Sequence, residues 1–468
     1  MKISGREIVG ETLRTLSADL GQRVIPHLAD PDALMTAKMI AELLAYLAMW
    51  SLDATEGESG PAASPPDVEP GALDLASDIP VDGAARGRLA NALQHEIEHA
   101  GQRDARALDG AVAGDRALYA GEQARLAGLP TTADERLARV ETALTADNAA
   151  ALVAACLGAG HAVLSVARTA GGYSKDSFFL DVLPPAGDVE HLVIRRDLPF
   201  GPGETRVVEE YALLERLARR GLPIAEPLGC DPTGILGQPA MLSRRVPGRS
   251  GTAPWDTDPA QSRDICLALA EVLAKLHAIA PLEIGLTPAS SDPREQLRAY
   301  VLEWRDRWRR NRVHASPTLA AAFAWLLDNI PIRIDRIAIV HGDVGFHNAI
   351  VDDGRLAALL DWEFAHLGDP TEDLGYCRPF IEPLIPWDDF LARYREAGGG
   401  DYRAENARFF EVWRGVRNAV CCAVSWRGFL SAAYPALKMA YQGIPLYRTF
   451  VLNTAERLKE EFQWSTPA

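Results

Sequence analysis

IVHGDVGFHNAIVDDGRLAALLDWEFAHLGDPTEDLGY, residues 339–376, decides how this chain is read. An apolar run, Ile337–Val340, predicts a strand and passes into His341-Gly342-Asp343. Asn348 follows on the same short loop. VDDGR at 351–355 has the residues of a hairpin turn, Ala357–Leu360 predicts the next strand, and Asp361 comes directly after it. An Asp and an Asn on one loop offer a carboxylate and an amide oxygen side by side. A second Asp after the next strand adds a charged oxygen ligand. Phosphoryl transfer to a hydroxyl uses such a set: a carboxylate near the accepting oxygen, and a few oxygen ligands that hold Mg²⁺ against phosphates. HGD alone is a weak signal, and a lone Asp–Asn pair is commonly a turn. Order, spacing and flanking strands together carry the reading.

Toward the N-terminus, His161–Arg168, Ser177–Leu183 and His191–Arg196 read as strands, with Gly171-Gly172 breaking the first from the second. Glu204–Arg220 reads as a helix, and Gln238–Arg245 as a short strand. From 259 onward the pattern is mostly helical. Three strands, a helix, a further strand and a helical half make an α+β chain. Residues 1–50 and 86–145 also have helical spacing. Residues 52–85, rich in Pro, Gly, Ser and acid, read as a linker.

Composition narrows the function classes. The chain has 468 residues, 48% hydrophobic and 24% charged, as a globular protein does. Its formal net charge of -16 argues against broad binding to nucleic acid or to an acidic membrane. The six Cys include no CxxC pair, which predicts reduced thiols and a cytoplasmic location. The longest apolar stretch, Leu34–Trp50, contains Lys38 and Glu42; it is too short and too charged to span a bilayer. No GxSxG is present, so serine-nucleophile chemistry has no support.

HGDxxxxN followed by LDWE resembles the aminoglycoside phosphotransferase family, relatives of the protein kinases, and the likeness runs from about residue 155 to 460. LLDWEFAHLGDPTEDLGY most resembles the branch found fused to, or encoded near, acyl-CoA dehydrogenases. The resemblance implies a protein-kinase-like fold of two lobes. Residues 146–245 would form a small β-rich lobe and 246–468 a large helical lobe, behind an added helical domain at 1–145 that could regulate, dimerise or present substrate. It implies ATP and Mg²⁺ as cofactors and a small-molecule hydroxyl as acceptor. Asp343 would be the catalytic base, Asn348 and Asp361 the metal ligands, and Glu363 a further group near the metal. Gly171 and Gly172 match the phosphate-covering loop. Arg195 takes the place of the phosphate-positioning cation; strand alternation lets only one of Arg195 and Arg196 enter the cleft. Glu210 shares a helical face with Leu213, Leu214 and Leu217, and is preferred over Glu209 as the partner of that cation. Adenine is expected at backbone groups near Met241–Ser243, in the hinge. His277 and Asp373 are expected to brace the site.

The acceptor stays open among hydroxylated acyl or carboxylic compounds, amino alcohols and aminoglycosides, with the first favoured by the branch. Two other readings compete. One is a kinase-like module that binds nucleotide without catalysis. The other is a metal oxygenase or hydrolase, since His341, Asp343 and His347 imitate a two-His, one-carboxylate set.

Overall fold

The computed structural model describes residues 25, 37–41, 43, 144–169, 174–198, 201, 203, 206–251, 255–313, 316–430 and 437–461. Gly171 and Gly172 lie outside the described residues, as do the linker at 52–85 and nearly all of the expected helical domain at 1–145. The chain divides into two compact units. Residues 141–300 and 330–411 form the unit that carries every described site residue.

That unit begins with helix α1 (Ala146–Leu157), whose N-terminus is closed by Thr145 and Asn148 bonding reciprocally. Strands β1 (Ala162–Arg168), β2 (Lys175–Leu183) and β3 (Glu190–Asp197) follow, then helix α2 (Val207–Ala218), β4 (Pro227–Asp231) and β5 (Ala240–Arg244). The five strands form one antiparallel sheet in the order β1-β2-β3-β5-β4. Leu180 and Val182 of β2, Leu192 and Ile194 of β3 and Leu242 of β5 pack on Ala149, Leu152 and Val153 of α1. Each such buried aliphatic side chain contributes roughly 1.5–3 kcal/mol. Alternation turns Lys175 and Arg195 to the other face, toward α2.

The helical part opens with β6 (Arg249–Ser250), α3 (Pro259–Ala278) and α4 (Pro293–Asn311), followed by α5 (Pro317–Asp328). Strands β7 (Ala338–Val340), β8 (Ala349–Asp352), β9 (Arg355–Leu359) and β10 (His366–Gly368) then frame the decisive stretch. Asp353 and Gly354 both have positive φ, 43° and 73°, which makes the β8–β9 turn a tight hairpin. Helices α6 (Thr371–Ile381) and α7 (Trp387–Glu396) pack with α3 through Leu269, Leu273, Leu276, Leu374, Ile381, Phe390 and Tyr394.

The second unit contains residues 301–329 and 412–468. It holds the later part of α4, α5, the later part of α8 (Ala404–Leu430), α9 (Leu437–Tyr441) and α10 (Tyr447–Glu461). Trp304 meets Trp413 edge to face at 5.9 Å, and Trp308 stacks on Phe323 at 5.6 Å. These tryptophans are core. Among the described residues, no helix is long and apolar enough to cross a membrane.

One expectation needs correction. Met241 and Ser243 were placed at the base-contacting hinge, but β5 has strands on both sides. Met241 pairs with Arg195 and with Cys230, and Ser243 pairs with Val193 and with Pro227. A doubly flanked strand spends its backbone groups on the ladder. Arg245 still donates its N–H to the His191 carbonyl at 2.9 Å, so the connecting segment is 246–248.

Candidate active site

Asp343 sits on the loop between β7 and β8, and its carboxylate is gripped from several directions. Asn348 Nδ2 donates to Asp343 Oδ2 at 2.8 Å and to the Asp343 carbonyl at 3.0 Å. The Tyr376 hydroxyl donates to Asp343 Oδ1. His347 Nε2 lies 3.5 Å from Oδ2, and Asp343 raises the basicity of that ring. The backbone of the same loop is held from below. Asp373, near the start of α6, accepts from the His341 N–H at 2.7 Å and the Gly342 N–H at 2.8 Å. Its Oδ2 also meets His277 Nε2 at 3.1 Å, and His277 Nδ1 meets the Tyr394 hydroxyl at 2.9 Å. Burial alone would raise the Asp373 carboxyl; the His277 bond and the charges and backbone donors around it hold it below the usual range.

Asp361 follows β9 with φ 63°, a left-handed conformation that costs a non-glycine residue about 1–2 kcal/mol. Two contacts hold it there. Trp362 buries its indole in the α3–α6 cluster and donates Nε1–H to the Leu359 carbonyl at 3.1 Å. Arg195 Nη2 donates to Asp361 Oδ1 at 2.7 Å. The other arm of the guanidinium, Nη1, donates to Glu210 Oε1 at 2.8 Å. Glu210 is 1% exposed and projects from the inner face of α2, while Glu209 turns outward and accepts from the Arg206 N–H. Arg196, one residue on, points to the opposite face and pairs with Asp176 at 3.0 Å. Burial would raise the Asp361 carboxyl, but Arg195 and Lys175 draw it below the ordinary range, while the nearby Asp343 charge opposes them.

Lys175 is the residue that sequence reasoning missed. It is the first residue of β2, 2% exposed, and its Nζ lies 2.9 Å from Glu363 Oε2 and 3.3 Å from Glu210 Oε2. Burial would depress its pKa, yet Glu363 and Glu210 more than restore it, so the ammonium stays charged. Burial pushes Glu363 up in spite of Lys175, and the Asp361 charge adds to that push. Two cations therefore meet at Glu210, and each reaches a different carboxylate of the 361–363 turn. The signal for Lys175 was its place two residues before the expected start of the strand, where alternation puts it on the face of Arg195. Lys175→Met leaves two buried carboxylates facing each other, so it is expected to lower stability by about 3–5 kcal/mol. Chemical denaturation checks this; a variant within 1 kcal/mol of wild type would show that the pair adds little.

The residues offer a fit for Mg²⁺. Among the described residues, the hydrogen bonds of Asp361 and Asn348 use Oδ1 of the first and Nδ2 of the second, which leaves one carboxylate oxygen and one amide oxygen. Hard oxygen donors of this kind suit that ion. The iron-type set does not form: His341 is buried, with Nε2 on the Leu360 carbonyl at 3.0 Å and Nδ1 on the Asp343 N–H at 3.2 Å. Among the described residues, no group of three or more His, Cys, Asp and Glu is arranged to hold a metal.

A family profile described as "Phosphotransferase enzyme family" matches residues 165–408. Acyl-CoA dehydrogenase family member 11 of Gallus gallus is 29% identical over 223 residues, 46% of this chain and 28% of that protein. The Homo sapiens protein of the same name is 24% identical over 305 residues, 62% of this chain and 37% of that protein. The chain thus spans well under half the length of these curated relatives. A solved structure from Ralstonia eutropha, assigned as an aminoglycoside phosphotransferase, has a TM-score of 0.50 at 19% identity and covers 67% of this chain and 98% of that one. That likeness is one of fold.

Proposed function

Because this chain belongs to the phosphotransferase enzyme family, with more than half its length matched, we propose that it transfers the γ-phosphoryl group of ATP to a hydroxyl of a small hydroxylated acyl or carboxylic compound. The observation that carries the reading is the chain of contacts Glu210–Arg195–Asp361, with Asp343 close enough to perturb the Asp361 carboxyl. Arg195 is fixed by a buried carboxylate on one side and reaches the strained Asp361 on the other. Such a guanidinium can exchange a carboxylate for phosphate oxygens without losing its support on α2. Its side chain is 17% exposed, against 2% for Lys175, which fits Arg195 for contact with phosphate and Lys175 for holding the carboxylates.

In this reading Asp361 and Asn348 hold Mg²⁺, which when bound neutralises charge on the β- and γ-phosphates. Asp343 orients the acceptor hydroxyl and takes its proton. Asn348 fixes the Asp343 carboxylate through Nδ2, and its amide oxygen would be its donor to the metal. The base is expected at the segment that follows β5; Gly171 and Gly172, proposed for the phosphate-covering loop, lie outside the described residues. The acyl acceptor is favoured by the relatives, whose names place them among acyl-CoA dehydrogenases. We assign residues 146–245 and 246–468 to the two lobes and the protein to the cytoplasm; deleting residues 1–130 and measuring oligomeric state and ATP turnover tests the part that precedes the lobes.

The test is thermal melting with ATP, with Mg²⁺, and with both. Ligand at a hundred times its Kd stabilises by about 2.7 kcal/mol. The melting temperature is expected to rise only with ATP and Mg²⁺ together, and Asp361→Ala should abolish the rise. No shift at millimolar ATP–Mg²⁺ would overturn the nucleotide site. A positive result is followed by a screen of hydroxylated acyl compounds and amino alcohols for phosphorylated product.

A further inference from the structure

Tyr376 has been given no role in the transfer, yet its hydroxyl donates to Oδ1 of Asp343. The tyrosine stands one turn beyond Asp373 on α6, and Asp373 ties that helix to the His341–Gly342 backbone. The same helix therefore fixes both the loop beneath Asp343 and the hydroxyl in front of it. Oδ2 is engaged by Asn348 and faced by His347, while the Tyr376 hydroxyl covers Oδ1. The side is open: Asp343 is 19% exposed at its side chain, and Phe380, 37% exposed, lies next to both rings, 6.4 Å from Tyr376 and 5.8 Å from His347 between centroids.

An O–H group pointing into Oδ1 is the contact that an acceptor hydroxyl makes before it gives up its proton. We propose that Tyr376 is a positioning residue whose hydroxyl keeps the acceptor's place at Asp343 while no acceptor is bound, and so withholds the base from water. This rests on the phosphotransferase reading above. During transfer the acceptor oxygen forms a bond to the γ-phosphorus and its proton passes to Asp343. The bond from that phosphorus to the bridging oxygen breaks, and ADP leaves with the electron pair. A water molecule at Oδ1 would run the same step to inorganic phosphate and waste ATP. The phenolic hydroxyl excludes it by satisfying Oδ1 from a helix that is anchored to the same loop. The exposed Phe380 ring beside it gives the acceptor an apolar surface to enter along, in keeping with an acyl chain.

Tyr376→Phe keeps the ring and removes only the hydroxyl. It removes the donor that satisfies Oδ1 and leaves that oxygen as a partner for water. Phosphate release is measured with ATP and Mg²⁺ alone, without acceptor. Hydrolysis is expected to rise about tenfold over wild type, a fraction of the roughly 10²- to 10⁴-fold that a general base contributes, and to vanish in the Tyr376→Phe/Asp343→Asn double variant. A residue that merely supported the fold would not raise a rate when removed. Unchanged or lower hydrolysis in a Tyr376→Phe protein that still melts like wild type and still shows the ATP–Mg²⁺ shift overturns this inference alone. Absence of that shift in the wild type overturns the phosphotransferase reading, and this one with it.

Discussion

Asp343→Asn is expected to lower kcat by about 10²- to 10⁴-fold while ATP–Mg²⁺ binding stays near wild type. The geometry separates the two effects. Asp343 is held by Asn348, Tyr376 and His347, whereas Arg195 is held by Asp361 and Glu210. The charge on Asp343 disfavours ionisation of Asp361, so removing that charge leaves Asp361 no worse as a ligand. The amide oxygen of the variant can accept from one of its two main donors. The tyrosine hydroxyl can rotate to accept from the amide nitrogen, so the loop keeps its shape. What the variant loses is a group able to take a proton, an interaction made in the transition state rather than in the ground state. Steady-state kinetics over ATP concentration, with melting shifts in parallel, check this. Turnover within tenfold of wild type would remove Asp343 from the role of base. A parallel loss of ATP binding would show that the loop had shifted.

The residues of this site differ in how readable they are. Asp343, Asn348 and Asp361 stand out because a single hairpin carries all three, and a hairpin's strands and turn are local features. For Arg195 and Glu210 the resemblance supplied the roles, and periodicity only narrowed the choice, to one of Arg195 and Arg196 on β3 and toward Glu210 over Glu209 on α2. Lys175 escaped because its meaning depends on where β2 begins. With the strand started at Ser177 it falls in the Gly-Gly loop; with the strand started at Lys175 it becomes the second cation on the face of Arg195. Tyr376 escaped because its contact spans 33 residues and a helix, and nothing in LGY announces it. Met241 and Ser243 were misplaced because a sequence shows that a strand exists but not which strands flank it. The order β3-β5-β4 closes both edges of β5. The α+β class itself was legible from the change of apolar period.

Asp373→Ala is expected to cost about 3–5 kcal/mol of stability. The side chain is fully buried, and it accepts from two backbone N–H groups and a histidine. Each hydrogen bond to a charged group contributes about 1.5–3 kcal/mol, and each buried donor left without a partner costs about 1–3 kcal/mol. The full sum is not reached, because the loop can relax and admit water, which sets the lower figure. Asp373→Asn should cost less, since its amide oxygen can still accept, but its NH₂ faces donors on one side. The sign of the pH dependence follows from the depressed carboxyl of Asp373. Its contribution is present above the unfolded-state value, about 4, and is lost as pH falls through the lower folded-state value. The stability gap between wild type and Asp373→Asn should therefore be full at pH 7 and narrow below about pH 4. Urea unfolding at both pH values measures it. A gap that does not narrow on acidification would mean that Asp373 acts through shape and not charge. Because His341 and Gly342 hang from this carboxylate, the same variants should also lose phosphoryl transfer, but through a displaced Asp343. That loss should track the destabilised loop, whereas in Asp343→Asn the loss comes with stability intact.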